Sequence, residues 1–432
     1  MTRVTEIEEP KPLLCLSLYR LMPMLKKLNQ RIKNAMNERL YQFATRFERL
    51  YQILSISLAV VGHLFLYSFP LLVLGSLLLI LSQSLPLSIP AMITIGICLG
   101  IMAFGIFISY RIATIKFQTP EGLAIEPGKA QELFQVIAEV EDAYKLVQVH
   151  KLVISDSYNI ELLKTPRNGF PYLSHNTLVV GLPLAQTLSP EYFAIAVRRK
   201  LIQYSKRHNP IINWVNQLRH VWPLYARAFK KRGAVGDQLI HWFFSGFSRF
   251  YEFFTRRCVQ LDELHADKGA LDMVNAEELL KTIETMLISE TFLNSKYWPN
   301  VLNAARKNPK AAPPPFNKIS EMVRNTLAGM DKSKWLVMHL SKEAMKIHKG
   351  TKAPFKARMA ELGCSSVEEP EVMKQCAAQY YFGENYPKIV MVMNKQWLTR
   401  AFRSVKPVVP LQKPPTKQTK VAPAAALAAG KK

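Results

Sequence analysis

The segment LSPEYFAIAVRRKLIQYSKRH (188–208) gathers charged and amide side chains at a helical spacing. Ser189 suits a helix cap, Pro190 its first turn and Glu191 its positive end. On that helix Arg199 and Gln203 stand four residues apart on one face, with Lys200 adjacent. A second segment, LDELHAD (261–267), carries Glu263, His265 and Asp267. Metal chemistry is the obvious question for two such segments, and the first answers it poorly. Arginine does not give up a proton to ligate a metal, and two neighbouring cations repel one. The nine histidines (His63, His150, His175, His208, His220, His241, His265, His339 and His348) include no pair spaced by three or four residues. His265 with Glu263 and Asp267 makes at most a weak metal cluster, and a satisfied or exposed histidine is the better reading. The five cysteines (Cys15, Cys98, Cys258, Cys364 and Cys376) lack CxxC spacing. That argues against a disulfide framework or a cysteine zinc site, and for a reducing, cytoplasmic setting. Cys258, beside Arg257, is either an activated thiol or, the preferred reading, a buried structural one. No local Ser/His/Asp or Cys/His signature and no Gly-rich phosphate loop is present.

The elements that would position these residues follow from periodicity. Residues 14–50 read as a basic amphipathic helix, with Leu18, Leu21, Leu25, Leu28 and Ile32 at three- or four-residue steps and Pro23 as a kink or fresh start. No Asp, Glu, Lys or Arg occurs between Arg49 and Arg111. Within that gap, 53–81 and 91–110 each reach the ~20 residues that a membrane-crossing helix needs, and SQSLPLSIP suits the reversal between them. Pro70 predicts a kink in the first span. Gly96-x-x-x-Gly100 is either a close-packing motif or, the preferred reading, a chance pair. His63 is either an ion-pathway residue or, the preferred reading, one near an interface or bonded to the partner helix. A helix is expected over 129–146 and strands at LVISD (152–156) and TLVVGLPL (177–184). Helix dominates 189–286 and 317–349, with KNPKAAPPPF (307–316) as a loop. The domains expected are therefore a basic N-terminal helix (1–52), a transmembrane hairpin (53–112), a folded domain (113–404) and a disordered Pro/Ala/Lys tail (405–432).

The order TLVVGLPLAQTLSPE, then the 188–208 helix, then LDELHAD resembles the membrane-bound zinc metallopeptidases typified by HtpX and the CAAX prenyl proteases. In that family the first helix carries HExxH, whose two His hold Zn²⁺ while the Glu acts as base on the metal-bound water. The resemblance puts Arg199 at the first ligand position, Lys200 at the base and Gln203 at the second ligand. Glu263, Ala266 and Asp267 match the family's Exx-Ala-Asp, with Glu263 at the third ligand position. In GTKAPFKARMAELG (350–363) Pro354, Arg358 and Leu362 match, while Ala353 stands where the family has His. Asn159 sits where the family often has Asn, and Asn159 and Arg358 are candidate cleft residues. NYPKIVMVMNKQW (385–397) resembles the closing apolar segment, and the likeness extends over residues 55–400. It implies a mainly α fold with a small β element: a two-span helical hairpin followed by a gluzincin-type metallopeptidase-like cytoplasmic domain. Zinc is the family's cofactor, but the degenerate positions imply no cofactor and no catalysis here, with Glu263 vestigial. An unpaired buried carboxylate is costly, so a salt bridge from Glu263 or Asp267 to Arg199 or Lys200 is expected in place of the metal.

Charge bears on partners. The chain of 432 residues is 49% hydrophobic with a mean hydropathy of +0.01, yet carries a net charge of +25. A basic disordered nucleic-acid tail would not be so apolar, and no signature of a nucleic-acid-binding fold appears. Basic flanks around an uncharged turn place both termini in the cytoplasm, and the resemblance points to a bacterial inner membrane. The leading expectation is an integral membrane pseudoprotease that binds a protein or peptide partner. The alternatives are an active metalloendopeptidase with an atypical metal site, and a scaffold whose polybasic surface binds anionic lipids or nucleic acid.

Overall fold

The computed structural model describes residues 31–83, 88–145, 148–205, 210–234, 236–308, 312–329, 332–344, 352–364 and 373–404. Most of the expected N-terminal helix before residue 31, and the tail at 405–432, lie outside the described residues. Helix α1 (31–46) breaks at Phe47 and leads into α2 (Glu48–Leu81), which is followed by α3 (Ile89–Ala113). Both α2 and α3 are long and apolar enough to cross a membrane. Both run past the expected bounds because a helix does not stop where its charge-free stretch begins. Ser88 caps α3 by accepting from the Ala91 backbone N–H, and α2 continues past Pro70.

The close helix contact does not involve the Gly96-x-x-x-Gly100 pair. Gly96 and Gly100 face open space, whereas a Cβ on Gly105 would meet Val73 Cγ2 at 2.8 Å and the Phe69 carbonyl at 2.9 Å. Gly105 is therefore the residue that lets α2 and α3 approach.

A small four-stranded sheet comes next: β1 (Leu123–Ile125), β2 (Lys151–Ser155), β3 (Ile160–Arg167) and β4 (Phe170–Gly181), in the order β1-β2-β4-β3. Helix α4 (Gln131–Tyr144) intervenes between β1 and β2. Strands β2 and β4 pair in parallel, and β3 returns antiparallel on β4 as the outer strand. The β3–β4 hairpin was not foreseen. Its strand IELLKTPR is half-buried, and Pro166 sits at the register shift where a missing N–H is tolerated.

The remainder is helical. Helices α5 (Leu182–Thr187), α6 (Pro190–Gln203), α7 (Pro210–Arg232), α8 (Asp237–Phe254), α9 (Arg256–Ala270) and α10 (Ala276–Phe292) follow without another strand. A π-turn (Leu293–Tyr297) joins α10 to α11 (Trp298–Lys307), and α12 (Ile319–Gly329) and α13 (Lys332–Ala344) come after it. The last helices are α14 (Phe355–Glu361), α15 (Ala377–Phe382) and α16 (Tyr386–Ser404). Ser189 caps α6 through the Tyr192 N–H at 3.3 Å, with Pro190 at its first turn.

Two apolar cores result. One joins the inner sheet face to α4, α6, α10 and α15 through residues such as Leu178, Phe193 and Ile288. The other is aromatic and joins α2 and α3 to α7 and α8. In it Trp222 stacks on Phe244 with ring centroids 5.3 Å apart, and Phe65 stacks on Phe243 at 3.7 Å. His63 rests between Trp214 and Trp222 of α7, and its Nδ1 donates to the Ala59 carbonyl of its own helix at 2.9 Å. At the end of α3, Arg111 binds Asp237 with two bonds of 3.0 and 2.5 Å.

A Cβ on Gly62 would lie 2.7 Å from Trp222 and 2.9 Å from Phe247, both held in this core. Gly62→Leu is expected to lower stability by about 1–3 kcal/mol through overpacking. Gly96→Leu, in open space, should stay within about 0.5 kcal/mol. Thermal unfolding of the detergent-solubilised chain compares the two.

Candidate functional site

Helix α6 is driven into the middle of the domain by Phe193, Ile195, Val197, Leu201 and Ile202. That burial carries its charged end against α9. There Asp267, fully buried, receives two guanidinium groups. Arg199 Nε donates to Asp267 Oδ1 and its Nη2 to the Glu263 carbonyl. Arg358, from α14, donates through Nε and Nη2 to the two carboxylate oxygens at 2.7 and 2.8 Å. One carboxylate thus ties together α6, α9 and α14. Burial alone would push the Asp267 carboxyl up, but Arg199 and Arg358 outweigh it and hold the group below its ordinary range. Arg358 is only 8% exposed, so it belongs to this buried cluster and not to the surface.

Beside the cluster lies a cavity of about 60 Å³ lined by Asn159, Arg199, Lys200, Glu263, Thr282 and Arg358, among others. Lys200 keeps part of its surface towards that cavity and sets its ammonium 5.8 Å from the Tyr204 ring centroid. Desolvation pulls its pKa down, and Glu263 partly opposes this. Glu263 Oε2 accepts from the Ala353 backbone N–H at 2.7 Å. Asn159 donates to Glu161 at 2.5 Å and braces its own loop by accepting from the Ile160 N–H at 2.9 Å. Lys352 and Glu290 pair at 2.8 Å on another part of the wall. The structure therefore brings together Asn159, Arg199, Lys200, Glu263, Asp267 and Arg358.

Gln203 faces another way. It donates to Asp262 Oδ2 at 2.7 Å, as does Asn216 from α7, while Asn213 donates to the Gln203 carbonyl at 2.5 Å. This buried amide–carboxylate group was missed from sequence. Its signal was Asn213, Asn216 and Gln217 on the inner side of α7, where an amphipathic helix carries apolar residues. Burial raises the Asp262 pKa to about 6, against the lowering effect of the Asn216 and Gln203 hydrogen bonds and of Lys200.

A larger cavity, about 540 Å³, opens over one face of the sheet, where Ser155 of β2, Val179 of β4 and alternate residues of β3 meet it. Glu161, Leu163 and Thr165 of that strand form one wall, and Arg219, His220 and Arg227 of α7 form another.

The donor set does not fit zinc. Arginine has no lone pair to offer, a lysine and an amide fill the neighbouring positions, and Asp267 is taken up by two cations. Among the described residues no three His, Cys, Asp or Glu side chains converge as a metal site, the Glu263–His265–Asp267 run included. Cys258 is buried, and burial pushes its thiol up, so it is not an activated nucleophile. Compared with known protein families, curated proteins and solved structures, the chain matches none.

Two expectations follow from these charges. Asp267→Asn leaves two buried guanidinium groups without their carboxylate and should cost about 3–5 kcal/mol in denaturant unfolding. Asp262 binds its proton more tightly in the fold than in the unfolded chain. Its contribution to stability is complete below the ordinary carboxyl range and is lost as pH rises through about 6, an effect of roughly 3 kcal/mol. Asp262→Asn should remove that loss, so its melting temperature gains on wild type between about pH 4 and about pH 7. An unchanged difference across that interval would remove the assignment.

Proposed function

We propose that the chain is a membrane-anchored pseudoenzyme, a metallopeptidase-like domain without zinc that acts by binding an extended protein segment. The observation that carries this reading is the pinning of Asp267 by Arg199 and Arg358, with Lys200 alongside. In a zinc peptidase the corresponding ground is held by a dication and its ligands, and a carboxylate base faces the metal-bound water. Here fixed guanidinium charge neutralises the carboxylate, and a lysine stands where the base belongs. What remains useful is the cleft. The 540 Å³ cavity between the sheet face and α7 supports capture of an extended segment, whose side chains its pockets would select.

On this reading α2 and α3 form the transmembrane hairpin, and the basic segments on either side of it place both termini and the domain in the cytoplasm. Anionic lipids of the inner leaflet would be drawn to the same basic flanks. The architecture is that of a tethered receptor for unfolded or extended chains.

Metal analysis and peptide binding on the full chain in detergent test the two halves together. Zinc should be far below one equivalent, and unfolded model peptides should bind without being cut. Arg227→Glu, on the exposed wall of the cavity, should weaken peptide binding about tenfold or more with the melting temperature unchanged. Stoichiometric zinc that is lost in Glu263→Ala, together with cleavage, would overturn the pseudoenzyme reading. Binding that ignores Arg227→Glu would remove the β3 cavity as its site.

A further inference from the structure

Helix α8 has more apolar surface than its packing uses. Its inner face, with Ile240, Phe244, Ser248 and Tyr251, is buried against its neighbours. Its outer side exposes Leu239, Trp242 and Phe250, and Gly246 between them meets open space. At 3.6 residues per turn these four positions fall on one narrow stripe. Trp242 is 72% exposed. An isolated exposed apolar side chain needs no explanation, but a stripe that starts with Leu239 and Trp242 and is flanked by the exposed Arg249 does.

The position of α8 supplies the explanation. Phe243 stacks on Phe65, Phe247 lies 2.9 Å from the Cβ direction of Gly62, and the Phe254 carbonyl accepts from Tyr51 at 2.5 Å. Helix α8 therefore runs antiparallel along the first half of α2. That half also leaves Leu50, Ile53, Leu54, Val60, Val61 and Leu64 exposed, at the three- and four-residue steps of one helix face. Two neighbouring helices thus carry uncovered apolar stripes that continue the surface of the hairpin.

Charge fixes the level. The α7–α8 turn sits at the end of α3: Arg232 donates to the Arg111 carbonyl at 2.8 Å and Arg111 binds Asp237 at 3.0 Å. Lys230, Lys231 and Arg232 close α7 at the same place. From Ile89 to Arg111 a helix rises about 33 Å, close to the ~30 Å of a hydrocarbon core. The cations therefore fall at headgroup depth, and Trp242, between one and two turns into α8, falls at the cytoplasmic boundary. Tryptophan is enriched at that boundary.

We infer that the first turns of α8 meet the cytoplasmic leaflet, with Leu239 and Trp242 at the upper acyl-chain segments, while the rest of the helix rises away from the membrane beside α2. The domain is then held on the membrane by a third helix as well as by its two spans. The cationic turn complements anionic headgroups and not the like-charged turn of a second copy. This inference rests on the proposed reading of α2 and α3 as spans.

Tryptophan quenching tests it on the full chain in nanodiscs whose lipids are brominated near the headgroup end of their acyl chains. Wild type should lose fluorescence to these lipids, and Trp242→Phe should lack the component so quenched. Equal lipid quenching in the two proteins, with Trp242 quenched from water by acrylamide, overturns the inference. Ile97→Trp, placed on the exposed side of α3 in the Trp242→Phe background, separates the two readings. Nanodiscs brominated in mid-chain should quench that residue. If they do while Trp242 stays in water, α8 alone is wrong, and if neither residue is quenched the spans fail as well.

Discussion

The domain depends on one buried carboxylate. Asp267 lies at the meeting of three helices that are far apart in sequence, and it is the only anion contacting both Arg199 and Arg358 among the described residues. Burying one carboxylate with two guanidinium groups leaves a surplus positive charge, which a low-dielectric interior penalises. Glu263 relieves this from one turn earlier on α9, close enough to act on both Lys200 and Arg358. Its own second bond comes from the Ala353 backbone, immediately before α14. The placement of α14 is thus set twice, by a bidentate arginine and by a backbone N–H, and both contacts end on α9. Helix α6 is fixed to the same helix by Arg199 and, on its other side, by Gln203 and Asp262.

The junction between the hairpin and the domain follows a different rule. There the contacts are aromatic, with Trp222, Tyr225, Phe244 and Phe247 packed on α2 and a single ion pair, Arg111–Asp237, at the edge. Aromatic burial is weakly directional, so it tolerates sliding, whereas the ion pair fixes the level at which α3 ends. Helix α2 has 34 residues and α3 has 25, so the pair cannot both match one apolar thickness unless α2 has a second partner. Helices α7 and α8 are that partner. They cover the side of α2 marked by Tyr51, Ser55, Ala59 and Gly62, which explains why small residues recur there.

Much of this arrangement is legible in the chain. The charge-free stretch before Arg111 gives two long apolar helices, and the Ser-Pro-Glu start of α6 gives its cap, because both signals are local. The β3–β4 hairpin was not legible, since IELLKTPR is half-buried, contains Pro166 and lacks a run of β-branched residues. Its identity as a strand comes from pairing with β4, a contact that periodicity does not encode. The close approach at Gly105 was not legible for a similar reason. Two glycines four apart permit close approach, but only the neighbour decides whether it occurs, and the neighbour of α3 is met at Gly105. In the candidate site the charged residues could be named from their sequence positions, but Asp262 could not. Its role is defined by Asn213 and Asn216 on a helix that only tertiary packing brings near.

The same geometry bears on how readily such a site changes its chemistry. Replacing Arg199 with a neutral ligand would remove one of the two cations on Asp267 while leaving Lys200 beside Glu263. A divalent metal entering there would face the Lys200 ammonium and the Arg358 guanidinium, and at 4 Å each of them opposes it by about 8 kcal/mol at an effective dielectric near 20. Gln203 would also have to leave Asp262, stranding a buried carboxyl that already resists ionisation. No single substitution meets these requirements, because the cations are structural partners of the acids that a metal would need. The positive charge at Arg199, Lys200 and Arg358 is therefore part of what holds α6, α9 and α14 together, and the fold itself resists metal binding at this position.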